Sequence, residues 1–451
     1  MPKKVVLIVV DGMTPAAFER AIEGGRAPAL AYLAEHGVYR RATSVFPSLT
    51  PVCLSAIVTG AGPDVHRIPH LVWWHRDERR IVEYGSSFAA VRAAGVSQSL
   101  TDTIYNMNER HLGKDAVTVF EALEDTGLVT AAVNITCYRG RTRHTPTLPW
   151  VTKPAFGPKR FFYYSLFESD LTGAPLAVRN RAAGSLDAYA AAVGRWLVTR
   201  DGFDFFAYYL SDFDFASHAH GPAGADDVAL ERTDAAIAAL LDAAGGPDAF
   251  LERYAVVLHS DHGQTDVDQV GRLHAPLDGL EGEIVVTASN RAGQVYLLPD
   301  ARVDAAEIAR RLDGVEFVET TLWREGDEAV ARRDGEELRF RPSAGGWETS
   351  GDAAILDHPD ALRRVWSALA NPNAGELLVS AADGWELADL GGRHHAGGGS
   401  HGSLTAGDSV VPLLTIGIDA APERITEVVP AVLAHFGVEP PAYVRAVAHA
   451  A

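Results

Sequence analysis

"KVVLIVVDG", residues 4–12, decides the fold. A strand with one wet face alternates apolar and polar residues, and this run does not. Val5 to Val10 are all β-branched or Leu, so both faces of the strand need covering. The run is also too short for a buried helix. Strands of this kind belong to parallel sheets with helices above and below. The run stops at Asp11-Gly12, which puts a carboxylate at the C-terminal edge of the sheet. That edge is where open α/β sheets bind ligands.

Working outward, the same rhythm repeats. "TPAAFERAIEGG" reads as a helix, with Thr14 as N-cap, Pro15 in the first turn and Gly24 at the exit. "PALAYLAEHGV" is a second helix, "YRRATSVF" a strand and "PVCLSAIVTG" a helix. Further on, "AVTVFEALEDTG", "SLDAYAAAVGRWLVTR" and "DDVALERTDAAIAALLDAAGG" are helices. They alternate with the strands "LVTAAVNIT", "FDFFAYYL" and "YAVVLHS". This pattern predicts an α/β fold, a three-layer αβα sandwich around a mostly parallel central sheet. Two stretches break the rhythm. Residues 138–165 are rich in Pro, basic and aromatic residues, and residues 285–345 have charged hairpin character. The expected organisation is therefore a core over 1–284, a small α+β insertion over 285–345 and the rest of the core over 346–451. "GGRHHAGGGSHG" (391–402) reads as a mobile glycine-rich loop.

Composition narrows the function. The 451 residues carry a formal net charge of -19, which opposes nucleic-acid polymers and anionic membranes. A phosphorylated small molecule is an acceptable partner only if cations in the site reverse the local field. Two cysteines, Cys53 and Cys137, exclude a disulfide framework and disfavour a thiolate zinc site. The apolar run before Asp11 is too short for an export signal, and no stretch is long enough to span a membrane. The expected compartment is the cytoplasm.

Asp or His recurs at strand ends or in the loops that follow: Asp11, then Asp212 and Asp214, then Asp261-His262, then His401. An Asp after a strand is ordinarily a turn former or a helix cap. A lone His in a glycine loop is ordinarily solvated. Asp261-His262 is the stronger signal, because burying both after an apolar strand is costly without a partner. Mixed carboxylates and imidazoles suit zinc above all, and manganese next. Thr50, in "FPSLTP", reads by itself as a helix N-cap before Pro51.

Taken in order, Asp11, Thr50, Asp214-x-x-x-His218, Asp261-His262 and His401 resemble the alkaline phosphatase superfamily. The likeness is closest to its nucleotide pyrophosphatase/phosphodiesterase branch, and it runs from "VVDGM" to "GSHGSL". The resemblance selects Asp214 and His218 in "SDFDFASHAHGP" and leaves Asp212 as a turn cap or supporting residue and His220 as a surface or substrate-facing residue. It implies one zinc held by Asp214, His218 and His401. A second zinc would be held by Asp11, Asp261 and His262, with the Thr50 oxygen as a further ligand. It makes Thr50 the nucleophile of a covalent threonyl-phosphate mechanism, since metal coordination makes a hydroxyl nucleophilic at neutral pH. The implied activity is hydrolysis of phosphodiesters or nucleotide pyrophosphates. A phosphomonoesterase or a phosphonate (phosphonoacetate-like) hydrolase is the alternative on the same scaffold. A non-catalytic metal-binding protein is disfavoured by the full ligand set, and a sulfatase by the absence of its Cys-x-Pro-x-Arg setting. One departure stands out. The branch carries an Asn about twenty residues after its nucleophile, where this chain has His70 and Leu71 in "HRIPHLVWW". Candidate substitutes are His70 itself and Asn134, with Asn106 and Asn108 as further asparagines. Arg139 and Arg141 are candidates to clamp an anion, and Trp73 and Trp74 to stack on a leaving group.

Overall fold

The computed structural model describes residues 2–169 and 185–444. It is a mixed α/β fold with many helices around a large, mostly parallel central sheet. Eight strands form that sheet in the order Val38–Thr43, Val410–Ile416, Tyr254–His259, Lys4–Val10, Phe205–Leu210, Thr130–Val133, Arg160–Tyr163, Phe167–Ser169. Lys4–Val10 lies in the middle, parallel to Phe205–Leu210 on one side and to Tyr254–His259 on the other. Val410–Ile416 and Phe167–Ser169 run antiparallel to their neighbours.

The unbroken apolar run of the first strand is explained by what covers it. Val5, Leu7 and Val9 pack into one core with the helices Thr50–Thr59, Val119–Glu124 and Val428–His435. Val6, Ile8 and Val10 pack into another with Pro15–Glu23, Leu186–Thr199 and Leu230–Ala243. Each such side chain contributes roughly 1.5–3 kcal/mol by leaving water, so neither face tolerates a polar residue. Thr14 caps the first helix as expected, its Oγ accepting from Ala17 N at 3.1 Å.

The charged region forms a second, antiparallel sheet of seven strands. Its order is Ile284–Ser289, Ala292–Leu297, Leu377–Ala381, Val318–Glu325, Glu328–Arg333, Glu336–Ser343, Gly346–Gly351. The sheet therefore does not stop at 345, as the sequence reading had it. Leu377–Ala381 inserts between Ala292–Leu297 and Val318–Glu325. It is buried on both faces, which is why it reads like a core strand. A third, small sheet joins Gly384–Leu387, Thr265–Gly271 and Gly398–Ser400. It draws the glycine-rich segment, read as a loop, against the chain that follows Asp261-His262. Among the described residues no helix is long and apolar enough to cross a membrane.

Candidate active site

Three neighbouring strands deliver acidic groups to one edge. Asp11 continues the first strand, its N–H donating to Leu210 O at 2.9 Å. Gly12 then turns at φ +69°, and a Cβ there would stand 2.8 Å from Asp214 Oδ1. Only glycine permits both the turn and that approach. Its N–H donates to Asp261 Oδ1 at 3.3 Å, tying the first strand's end to the third acid. Asp214 and His218 lie one turn apart on the helix Asp212–Val228, which begins two residues after Leu210. Asp214 Oδ2 and His218 Nε2 are 3.3 Å apart, and His401 Nε2 is 3.9 Å from Asp214 Oδ1.

The imidazoles share one arrangement. His218 Nδ1 donates to Gly399 O at 2.8 Å, His262 Nδ1 to Gly263 O at 3.0 Å and His401 Nδ1 to Ser48 O at 2.7 Å. A carbonyl only accepts, so in each ring Nδ1 carries the hydrogen and Nε2 faces the acids. His262 Nε2 stands 3.3 Å from Asp11 Oδ1 and 3.5 Å from Asp261 Oδ2. The His262 and His401 rings stack with centroids 3.6 Å apart. Thr50 Oγ1 is 3.1 Å from His262 Nε2. Thr50 is the first residue of its helix rather than its cap. Leu49 occupies the cap position, and no side chain caps there. The capping reading of Thr50 is therefore wrong, and its hydroxyl is free to face the acids.

These residues fit divalent cations. Asp11 Oδ1 and Asp261 Oδ2 are buried and receive no hydrogen bond, although a buried carboxylate oxygen normally accepts several. Burial pushes the Asp11 carboxyl well above its ordinary range, and the Asp261 and Asp214 charges push it further. Burial would raise Asp214 too, but His218 beside it outweighs burial and holds that carboxyl low. Burial, then the neighbouring His262, drive His401 well below its usual value, so its Nε2 is a bare lone pair. Two ligand groupings close up here, Asp214/His218/His401 and Asp11/Asp214/His262. Asp214 takes the place expected of Asp261 in the second grouping, and Asp261 stands beside it with Oδ2 3.5 Å from His262 Nε2.

The sequence model of the type I phosphodiesterase / nucleotide pyrophosphatase family matches residues 5–404. The chain belongs to that family. Among solved structures it resembles a phosphonoacetate hydrolase from Sinorhizobium meliloti 1021, in complex with phosphonoformate and with phosphonoacetate. Each comparison gives 20% identity over 96% of both chains and a TM-score of 0.62. Murine ectonucleotide pyrophosphatase / phosphodiesterase 5 is 13% identical over 97% of this chain and 96% of that one, with a TM-score of 0.60. At these identities the likeness is one of fold. No curated protein sequence matches the chain significantly. Family membership supports a hydrolase acting on phosphate esters, in a family that is metal-dependent.

The cluster has supporting residues that carry no signal in the motifs singled out from the sequence. Tyr209 donates its hydroxyl to Asp11 Oδ2, and Gln264 donates Nε2 to Asp214 Oδ1. Gln264 also accepts from Ser217 Oγ at 2.7 Å. Asn290 places Nδ2 2.9 Å from His401 Nε2. His395 stacks on His218 with centroids 4.0 Å apart and is held by Glu386 Oε1 at 2.7 Å. Gln264 follows closely behind Asp261-His262 and was visible in principle. Asn290 lies in a turn of the second sheet, with no local signal.

The candidate substrate contacts fare differently. His70 is fully buried and both its nitrogens are engaged, Nε2 with Ala292 O at 3.2 Å and Nδ1 with Val72 N at 3.1 Å. Burial lowers it to about 4, so it is a neutral structural group. Arg139 pairs with Glu121 and donates to the carbonyls of Leu112, Gly113 and Ala116. Arg141 pairs with Glu121 and Asp125. Neither is left to clamp an anion. Both were misread because the partners of a basic loop lie on a preceding helix that spacing cannot place. Asn106 is committed to Asp102, and Asn108 to Thr136, Tyr138 and Arg139. Trp73 is buried in the core and Trp74 packs against it. Asn134 differs. It ends the strand Thr130–Val133 at φ +57°, accepts from Tyr164 N at 3.0 Å and leaves a buried Nδ2 without a hydrogen bond. Asp212 accepts from Ser185 Oγ and from Leu186 N, at the start of the helix Leu186–Thr199. His220 is exposed.

The Arg139 reassignment has a testable consequence. Arg139→Met leaves Glu121 with Arg141 as its remaining cation but removes the donor to three carbonyls, and should lower unfolding stability by on the order of 2 kcal/mol. Turnover per folded molecule should change little. Equilibrium denaturation alongside steady-state kinetics checks both, and a selective loss of substrate affinity would return Arg139 to the site.

Proposed function

We propose that this chain is a two-metal hydrolase that transfers a phosphoryl group first to Thr50 and then to water, with phosphodiesters or nucleotide pyrophosphates as substrates. The observation that carries the reading is the Thr50 hydroxyl 3.1 Å from His262 Nε2, an atom that also stands 3.3 Å from Asp11 Oδ1 and 3.5 Å from Asp261 Oδ2, both unbonded oxygens. Asp214, His218 and His401 would hold one zinc ion. Asp11, Asp261 and His262 would hold the other, with Thr50 beside it, and manganese is the next candidate. When bound, the ions supply Lewis acidity and offset the charge of three buried carboxylates and of the substrate.

The residues themselves do the rest. The helix Thr50–Thr59 presents its positive end to the incoming anion. Tyr209 and Gln264 hold Asp11 and Asp214 in one orientation each. In the first step the Thr50 Oγ–P bond forms as the ester P–O bond breaks. The hydroxyl proton passes to solvent and the leaving oxygen takes one back. In the second step a water oxygen attacks phosphorus, the Thr50 Oγ–P bond breaks and Thr50 regains a proton. The accompanying fold reading is a three-layer αβα sandwich, supported by the two separate apolar cores on opposite sides of Lys4–Val10.

Diesters are favoured over monoesters. A monoester brings an additional charge and needs additional cationic donors, and Arg139 and Arg141 are already paired. The second reading, a phosphonate hydrolase or phosphomonoesterase, is favoured by the missing Asn at residues 70–71. Phosphonoacetate hydrolase is also a structural relative. Matched aryl mono- and diesters and a phosphonate, assayed on the zinc-loaded protein, separate the readings. The diester should show the highest kcat/KM, and a monoester advantage would overturn the substrate class. Metal analysis of the same active preparation should find about two divalent ions per chain. Full activity after complete chelation would defeat the two-metal reading.

A further inference from the structure

Asn290 lies outside the family's ligand pattern, yet it reaches the cluster of Asp214, His218 and His401. It sits in the turn between Ile284–Ser289 and Ala292–Leu297 at φ +56°. Asn tolerates that left-handed conformation and most residues do not. The turn is fixed from outside, because Leu387 N donates to Asn290 O at 2.7 Å and Arg291 N to His401 O at 2.8 Å. The side chain is buried, and its Oδ1 accepts from Ser289 Oγ at 3.0 Å. The Ser289 hydroxyl could pair with either amide atom, but His401 Nε2 can only accept, so the atom aimed at it, 2.9 Å away, is Nδ2.

His401 Nε2 has a single in-plane lone pair, since Nδ1 carries the hydrogen given to Ser48 O. That lone pair either accepts from Asn290 or binds a cation, and cannot do both. Loading the site therefore leaves Nδ2 as a buried donor in need of an acceptor, a costly state unless a new oxygen arrives. Of the other candidates for contacting substrate oxygens, His70, Arg139 and Arg141 are engaged elsewhere, and Asn134 keeps an unbonded Nδ2 at the end of the strand Thr130–Val133.

We propose that Asn290 is a substrate-binding residue whose Nδ2 donates to a phosphoryl or leaving-group oxygen in the metal-loaded site, a role the second sheet supplies in place of the Asn missing at residues 70–71. The inference rests on the phosphoryl-transfer reading above. It gives the second sheet a part in substrate selection, because the turn that carries Asn290 is continuous with the strands of that sheet.

The test uses zinc-loaded full-length protein and orthovanadate, a tetrahedral oxyanion, as probe. Asn290→Gly suits the positive φ and removes only the side chain. Asn290→Asp keeps the shape and replaces the donor with an acceptor. Zinc stoichiometry and orthovanadate affinity by calorimetry are the readouts. Asn290→Gly should keep its zinc and bind orthovanadate about ten- to hundred-fold more weakly. Asn290→Asp should keep its zinc and lose at least as much affinity. Unchanged orthovanadate affinity in both variants would overturn the assignment, as would loss of zinc from both, which would make Asn290 a support for His401 alone. If the unaltered zinc-loaded protein itself fails to bind orthovanadate, the phosphoryl-transfer reading falls first.

Discussion

Thr50→Ala should reduce turnover by about ten-thousand-fold or more while the protein still binds its metals. The size follows from the role, since removing a covalent nucleophile leaves only the catalysis that binding and electrostatics provide. The sparing of metal follows from the geometry. Asp11, Asp261 and His262 converge without help from Thr50, and Asp11 and Asp261 each keep an unbonded oxygen. The fold should hold as well. Thr50 caps nothing, and the Leu49 backbone with Pro51 begins the helix whichever small residue stands between them. Kinetics at saturating zinc, with metal analysis on the same sample, separate the two effects. A variant within tenfold of the parent would mean that water attacks phosphorus directly. One that loses metal as well as activity would make Thr50 a ligand first.

The second large effect divides the segment "SDFDFASHAHGP". Asp214→Ala and His218→Ala should each cost a metal ion and about a thousand-fold or more in activity, because each removes a group from a buried cluster. Asp212→Ala should keep both ions. Its carboxylate receives Ser185 Oγ and Leu186 N at a helix start, so the loss is one of stability, about 1 kcal/mol. His220→Ala should be nearly silent, since that side chain is exposed. Metal content of the four variants reads the result directly. If Asp212→Ala empties a site while Asp214→Ala does not, the helix register is wrong by two residues.

The contrast between Asp214 and Asp212 shows what sequence can carry. The central sheet was legible because Val5 to Val10 are apolar on both faces, a property written locally and needing no knowledge of the partner strands. The convergence of Asp and His side chains was legible because the topology of such a sheet sends strand ends to one edge. Asp11, Asp214 and Asp261 therefore meet although they come from three separate stretches of chain. Arg139 was not legible. Its guanidinium could face a ligand or Glu121, and nothing in "YRGRTRHTP" says which. Thr50 was half legible, since Thr-Pro at a helix start predicts the helix but misassigns the cap by one residue. Leu377–Ala381 was misplaced because burial on both faces looks the same in either sheet. Asn290 left no trace, because its only claim on the site is a turn in the second sheet brought to His401 by long-range packing.

The central claim is that phosphorus passes through Thr50. The stereochemical course of hydrolysis tests it most directly. With a diester made chiral at phosphorus by sulfur and oxygen isotope substitution, two successive in-line displacements, one by Thr50 and one by water, invert the centre twice. The account predicts net retention of configuration at phosphorus. Net inversion would mean a single displacement by water and would contradict it.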